Sequence, residues 1–178
     1  WGMRNRLSRI LKPATGRTVM LAIDHGYFLG PTSGLERPGE TIAPLLPHAD
    51  SLMLTRGVLR QCVPADSDVP IVLRISGGAS VLSELSHEGI TVAIEDAIRV
   101  NAAAITLSVF VGSEGERTTL LNLAKVVDLG QKYGIPVLVE KPLARSVAEA
   151  DAIIAAAARS GAALAVGHVA VAFETVTL

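Results

Sequence analysis

The sequence predicts an α/β fold, a partial (β/α)8 TIM-type barrel of about six βα units, with an open parallel sheet as the alternative closure. Three observations predict it. Short apolar runs rich in β-branched residues alternate with segments of helical periodicity. Each run ends in a polar residue or a glycine. No linker or low-complexity stretch divides the 178 residues, so residues 1–178 read as a single α/β domain. A complete barrel takes about 250 residues, so the chain is too short for eight standard units.

Residues 3–11 form a short basic amphipathic helix, with Met3, Leu7, Ile10 and Leu11 on one face. Its arginines read as a solvated face on a helix that plugs one end of the fold. Lys12 to Gly16 is a turn. The first strand runs from Thr18 to Ile23 and ends in Asp24, His25 and Gly26, followed by a loop. A short helix is expected over 39–47. The second strand, Ser51 to Thr55, ends at Arg56 and Gly57. The third, Pro70 to Ile75, ends in the small-residue turn Ser76-Gly77-Gly78, whose backbone could approach an anion. That spacing fits neither a Rossmann nor a Walker fingerprint.

A helix over 92–101 pairs Glu95 with Arg99 at i, i+4. The fourth strand, Ala103 to Val111, ends in Gly112 and Ser113. A helix over 117–133 carries an apolar stripe of Leu120, Leu123, Ala124 and Val127, capped by Gly134 in the left-handed region. The fifth strand, Pro136 to Val139, ends in Glu140-Lys141-Pro142. Ser146 to Glu149 is a capping box opening an Ala/Ile-rich helix that stops at Gly161. The sixth strand, Ala162 to Val166, ends in Gly167 and His168. Residues 169–178 alternate weakly.

Composition excludes several functions. Net charge is −1, which offers no attraction for nucleic acid or an anionic membrane. No apolar run reaches the ~18 residues of a membrane span. Nothing at the N-terminus has a signal-peptide layout, and the single cysteine, Cys62, fits a reducing, cytoplasmic compartment. No metal site is expected. A start at Trp1 is what a fragment would show.

The chemistry-bearing residues stand at strand ends, which converge on one face in a barrel. Asp24 and His25 can move protons. Lys141 can form a Schiff base if its amine is desolvated. Arg56, Ser76, Gly77, Glu140 and His168 are candidates for binding substrate, with Arg56 suited to a phosphate or carboxylate. The set suits carbonyl chemistry on an anionic substrate.

Over residues 1–137, the segments WGMRNRLSRI, TGRTVMLAIDHGYFLGPTSGLE, APLLPHADSLMLTRGVLR, PIVLRISGG and the run from SELSHEG to VGSE resemble one family. It is the thiolase branch, active in autoinducer-2 breakdown, of the class I fructose-bisphosphate and deoxyribose-phosphate aldolase superfamily. The resemblance implies a barrel with a Schiff-base lysine on strand six and substrate handling at Asp24 and His25. It implies transfer of an acetyl group from a small phosphorylated dione to coenzyme A as co-substrate, with no bound cofactor. In this chain the expected lysine position falls near Val166, and the loop after strand five and strands seven and eight are absent, so impaired turnover is expected.

Residues 138–168 are similar instead to the Gfo/Idh/MocA oxidoreductases, whose Glu-Lys-Pro motif matches Glu140, Lys141 and Pro142. That similarity makes 138–178 a dehydrogenase-like segment. No glycine-rich dinucleotide loop accompanies it. The alternatives to an aldolase-like enzyme are a non-catalytic or chimeric α/β fragment and, less favoured, an NAD(P)-dependent sugar dehydrogenase fragment. Six units leave sheet edges open, so a homo-oligomer is expected.

Overall fold

The computed structural model describes residues 1–30 and 32–140, together with positions 148, 151, 152, 155, 159, 166 and 167. Six strands form one sheet: β1 (Met20–Ala22), β2 (Ser51–Thr55), β3 (Ile71–Arg74), β6 (Ala104–Ser108), β7 (Val137–Glu140) and β8 (Val166–Gly167). They lie in the order β1-β2-β3-β6-β7-β8, and every neighbouring pair is parallel. Between β3 and β6 the chain makes an antiparallel hairpin of β4 (Ser76–Gly77) and β5 (Gly89–Ile90). The helices with described bounds are α1 (Gly2–Ile10), α2 (Gly26–Leu29), α3 (Pro38–Leu45), α4 (Arg56–Cys62), α5 (Ile94–Arg99) and α6 (Glu116–Tyr133). A 3-10 turn, Leu46–His48, extends α3. The architecture is the expected partial α/β barrel.

Two-residue periodicity sorts the strands into two layers. Leu52, Leu54, Leu73, Ile105 and Leu107 face the helices and pack with Ile42, Ala97, Val126 and Ile135. Met53, Val72 and Ala104 face the other way, with Met20, Ala22 and Leu138 beside them. Ile10 of α1 closes this second layer, so the basic amphipathic segment does plug one end of the fold. Continuing the same alternation toward the carboxyl ends brings Asp24, Arg74, Ser108 and Glu140 onto the second face. The layer is apolar at the amino ends of its strands and polar at the carboxyl ends.

Several local expectations are corrected. The loop expected after Asp24 contains the short helix α2. Residues 56–62 form α4, where no helix was expected; the Thr55 hydroxyl accepts from the Val58 N–H at 3.4 Å and caps it. Seven residues are too few for a helical period to register in sequence. Ser76 and Gly77 form a strand rather than a plain turn, because Gly89 and Ile90 pair with them. Arg99 engages Asp96 instead of Glu95, whose carboxylate accepts from the Tyr133 hydroxyl at 2.9 Å.

The buried stripe of α6 is also shifted. Thr119, Val126 and Gly130 are buried, whereas Leu120 and Val127 are exposed. Two contacts set this rotation. A Cβ on Gly130 would lie 2.7 Å from Val137 Cγ2, so only glycine lets the helix approach β7 there. The Thr119 hydroxyl accepts from the Phe110 N–H at 3.2 Å and donates to the Gly115 carbonyl at 3.1 Å. The Gly134 cap is as expected, at φ 66° and ψ 34°. The capping box at 146–149, most of the expected sixth strand and residues 169–178 lie outside the described residues.

Candidate active site

Arg74 is the last residue of β3 and the hub of a buried cluster. Asp24, Arg74 and Glu88 are 1%, 2% and 3% exposed. An arginine carries five N–H donors. Nε of Arg74 donates to the Ser76 carbonyl at 3.2 Å. Nη1 donates to Asp24 Oδ2 at 3.2 Å and to Glu140 Oε2. Nη2 reaches Glu88 at 3.0 and 3.1 Å, the Tyr27 hydroxyl and Ser108 Oγ. The guanidinium also lies 4.3 Å from the centroid of the Tyr27 ring, in cation–π contact.

The hairpin supplies the other half of this shell. Ser76 Oγ donates to Glu88 Oε2 at 2.6 Å and accepts from the Ser108 N–H at 3.1 Å. Tyr27 donates its hydroxyl hydrogen to Glu88. Gly77 lets this ring approach, since a Cβ there would lie 3.2 Å from Tyr27 Cδ2.

Three carboxylates therefore face one guanidinium. Burial and the neighbouring Glu140 push the Asp24 carboxyl above its ordinary 3.8, against the opposing pull of Arg74 and His25. Its Oδ1 is buried without a hydrogen-bond partner among the described residues. Burial alone would lower the pKa of Arg74, but Glu140, Tyr27, Glu88 and Asp24 raise it. Burial foremost, with Glu88, raises the Tyr27 phenol and keeps it protonated. Asp24 is thus a carboxyl of the cluster whose hold on a proton is strengthened by burial and by Glu140.

The sequence-derived residues divide into four groups. Asp24, Ser76 and Glu140 belong to the cluster, and Gly77 shapes it. His25 sits beside it, with Nδ1 3.9 Å from Asp24 Oδ1 and its ring tilted against Phe28. Arg56 does not join. It pairs with Asp96 on α5, which also receives Arg60 at 3.8 Å and Arg99. The hydrogen bond from Arg56, opposed by burial, holds Asp96 below the usual carboxylate range. Lys141 and His168 lie outside the described residues.

Sequence reasoning missed Arg74, Tyr27, Glu88 and Ser108. Arg74 had a signal, a lone charge inside the apolar run PIVLRI. Glu88 had none, because the hairpin that delivers it is invisible in the sequence. Among the described residues, no group of three His, Cys, Asp or Glu could hold a metal ion, and no helix is long and apolar enough to cross a membrane.

The profile of the DeoC/LacD family aldolases matches residues 18–169. The chain belongs to the DeoC/LacD aldolase family. The match runs on through residues 138–169, where the sequence alone led to the expectation of an oxidoreductase-like segment that the comparisons do not show. Curated relatives named 3-hydroxy-5-phosphonooxypentane-2,4-dione thiolase are similar over 138 residues. That of Photorhabdus laumondii is 56% identical and that of Klebsiella pneumoniae 57%. The alignments cover 78% of this chain and 47% of each relative. This DeoC/LacD chain therefore spans about half the length of the curated relatives it matches.

Among solved structures, a Schiff base forming fructose-1,6-bisphosphate aldolase superposes with a TM-score of 0.67 at 25% identity. The superposition covers 89% of this chain and 66% of that one. A fructose-bisphosphate aldolase from Slackia heliotrinireducens shares the fold, with a TM-score of 0.64 at 16% identity over 90% of this chain and 59% of that one. The neighbours share the aldolase-type barrel fold, and in this chain the cluster lies at the carboxyl ends of the strands, the edge where barrel enzymes carry their chemistry.

Proposed function

We propose that the protein acts on a small phosphorylated dione by carbon–carbon bond cleavage, passing the released acetyl group to coenzyme A. The observation that carries this reading is the identity of over half the residues with named phospho-dione thiolases across a stretch of 138 residues. In the reaction the bond between the acetyl carbonyl and its neighbouring carbon breaks. The acyl carbon bonds to the thiol sulfur, and the thiol proton ends on the released carbon.

Asp24 is suited to carry that proton, because its raised pKa narrows the gap to a thiol and to a carbon acid. His25 Nδ1 stands 3.9 Å from Asp24 Oδ1, so it would take part only after closing to hydrogen-bond distance or through a bridging water. Lys141, next in sequence after Glu140, is the candidate for a Schiff base, because valine occupies position 166, where the resemblance expects the lysine. Glu140, Ser76, Gly77 and His168 would line the substrate. Arg56, turned toward Asp96, would serve only if the substrate phosphate displaced that pair. The same reading favours a cytoplasmic homo-oligomer.

An imine on Lys141 would be displaced by about one strand spacing, ~4.8 Å, from a strand-six position. Misplacement by even ~1 Å can cost about 100-fold, so turnover should be slow. Incubation with the phospho-dione and coenzyme A, read as acetyl-thioester formation, tests the reading. Borohydride trapping and peptide mapping should locate any adduct on Lys141. An adduct on Lys12, Lys125 or Lys132, or turnover surviving Lys141→Met, would show the lysine assignment to be wrong. If neither product nor adduct depends on the phospho-dione, the reading itself fails.

A further inference from the structure

Beside the Arg74 cluster, at the carboxyl ends of β1 and β2, lies a second cavity of about 500 Å³. It opens between the connection from β1 to α3 and the helix α4, outside the polar face described above. Asp24 and Tyr27 line it too, so it and the cluster share a wall. Its size is that of a small-molecule site, about 300–1,000 Å³.

The lining is selective. Ile23, Leu35, Pro38 and Val58 make apolar walls. Gln61 and Thr55 add groups able to meet an amide. Among the described residues, the charged lining groups are Asp24 and Glu36, both acids, with no lysine or arginine. A phosphate carrying about −1.5 to −2 charges would meet like charge there and no counter-ion. Two glycines keep the wall open: an added Cβ at Gly26 would meet nothing within 4 Å, and at Gly57 only Thr55 Oγ1 at 4.0 Å. Asp24, whose buried Oδ1 has no hydrogen-bond partner among the described residues, belongs to the shared wall, so a thiol seated in the cavity would arrive beside this carboxyl.

We propose that this cavity is the berth for the uncharged pantetheine arm of the acyl acceptor, an extended chain of amides and methylenes ending in a thiol. The proposal rests on the acetyl-transfer reading above. It separates the two reactants: the phosphorylated ketone approaches over the Arg74 cluster, and the thiol arrives from the flank, with Asp24 between them. The adenosine phosphates of the acceptor stay outside.

Cys62 lines the cavity and is half-buried, so its alkylation by iodoacetamide reports occupancy. S-methylpantetheine is the probe, since it cannot react. At about ten times its dissociation constant it should slow alkylation about tenfold. Adenosine 3′,5′-bisphosphate and inorganic phosphate should leave the rate unchanged. Gly57→Leu, which fills the cavity at a site with room for a Cβ, should abolish the protection while a thermal melt shows a folded protein. Absence of protection by S-methylpantetheine, equal protection by phosphate, or undiminished protection in Gly57→Leu overturns the proposal. Acetyl transfer from the phospho-dione to coenzyme A without Cys62 protection sinks this site and leaves the proposed function standing. Cys62 protection without any acetyl transfer leaves the site standing and sinks the proposed function.

Discussion

Arg74 has no free donor. Each of its five N–H groups faces an oxygen, and three of its partners are carboxylates that burial would otherwise penalise. Arg74→Met should therefore destabilise the protein by about 3–5 kcal/mol near pH 7, since it leaves buried charge unpaired. Urea unfolding would measure it, and the loss should shrink as pH falls through the raised range of Asp24 and this carboxyl takes up its proton. A loss independent of pH would mean that lost packing dominates. Asp24 makes a separate prediction. A carboxyl whose folded pKa is raised holds its proton more tightly in the folded state. The stability it contributes is present below the ordinary 3.8 and is lost as pH climbs through the raised value. Asp24→Asn removes that loss, so the variant should gain on the parent as pH rises through this window, with little change in melting temperature otherwise. Matched urea titrations across the window that run parallel would refute the raised pKa. Binding of a phospho-ketone should weaken in the same variant.

Among elements, the β4–β5 hairpin delivers Ser76 and, just before β5, Glu88. It is anchored to the start of α6 by a close approach. The Gly115 N–H donates to Ser86 Oγ at 2.8 Å, and a Cβ on Gly115 would lie 2.0 Å from the Ser86 carbonyl oxygen. Gly115→Ala must push the two segments apart. It should cost at least the ~1–3 kcal/mol typical of overpacking, and it should shift Glu88 away from Arg74. Chemical denaturation gives the first quantity. Tyr27 is hydrogen-bonded to Glu88, so a change in its near-ultraviolet circular dichroism at neutral pH would report the second. Gly89→Ala, where an added Cβ would meet nothing within 4 Å, is the matched control and should do neither by that route. The helix α6 shows how an element's face is chosen from outside. Leu120 and Val127 look like core in the sequence, yet close contacts at Gly130 and Thr119 turn them to the surface.

At the scale of the molecule, β1 and β8 each have one neighbour in the sheet among the described residues. Unpaired strand edges template association, and exposed Leu120 and Leu121 on α6 add apolar surface. The protein should therefore self-associate, and light scattering over a concentration series should give a mass above 18.6 kDa. Leu121→Lys should lower that mass if α6 contributes, with a stability change within about ±0.5 kcal/mol. A monomer at all concentrations, with no binding of a hydrophobic dye, would count against an open edge.

The sequence by itself determined the alternation of strands and helices, the parallel sheet, the plugging helix α1, the Gly134 cap and the placing of Asp24 and Glu140 at strand ends. These are local facts, encoded in two- and 3.6-residue periods and in which residues interrupt them. Only the tertiary structure decided that Arg74, rather than Arg56, is the cation of the cluster. Both arginines sit at strand ends, and the choice depends on which finds carboxylates across the sheet and which finds Asp96 on a neighbouring helix. It likewise decided that Glu88 belongs to the site, because two pairs of residues too short and too glycine-rich to announce a strand form a hairpin only when paired. Such contacts span from 12 to 66 residues of chain, and no short-range period can carry information over that separation.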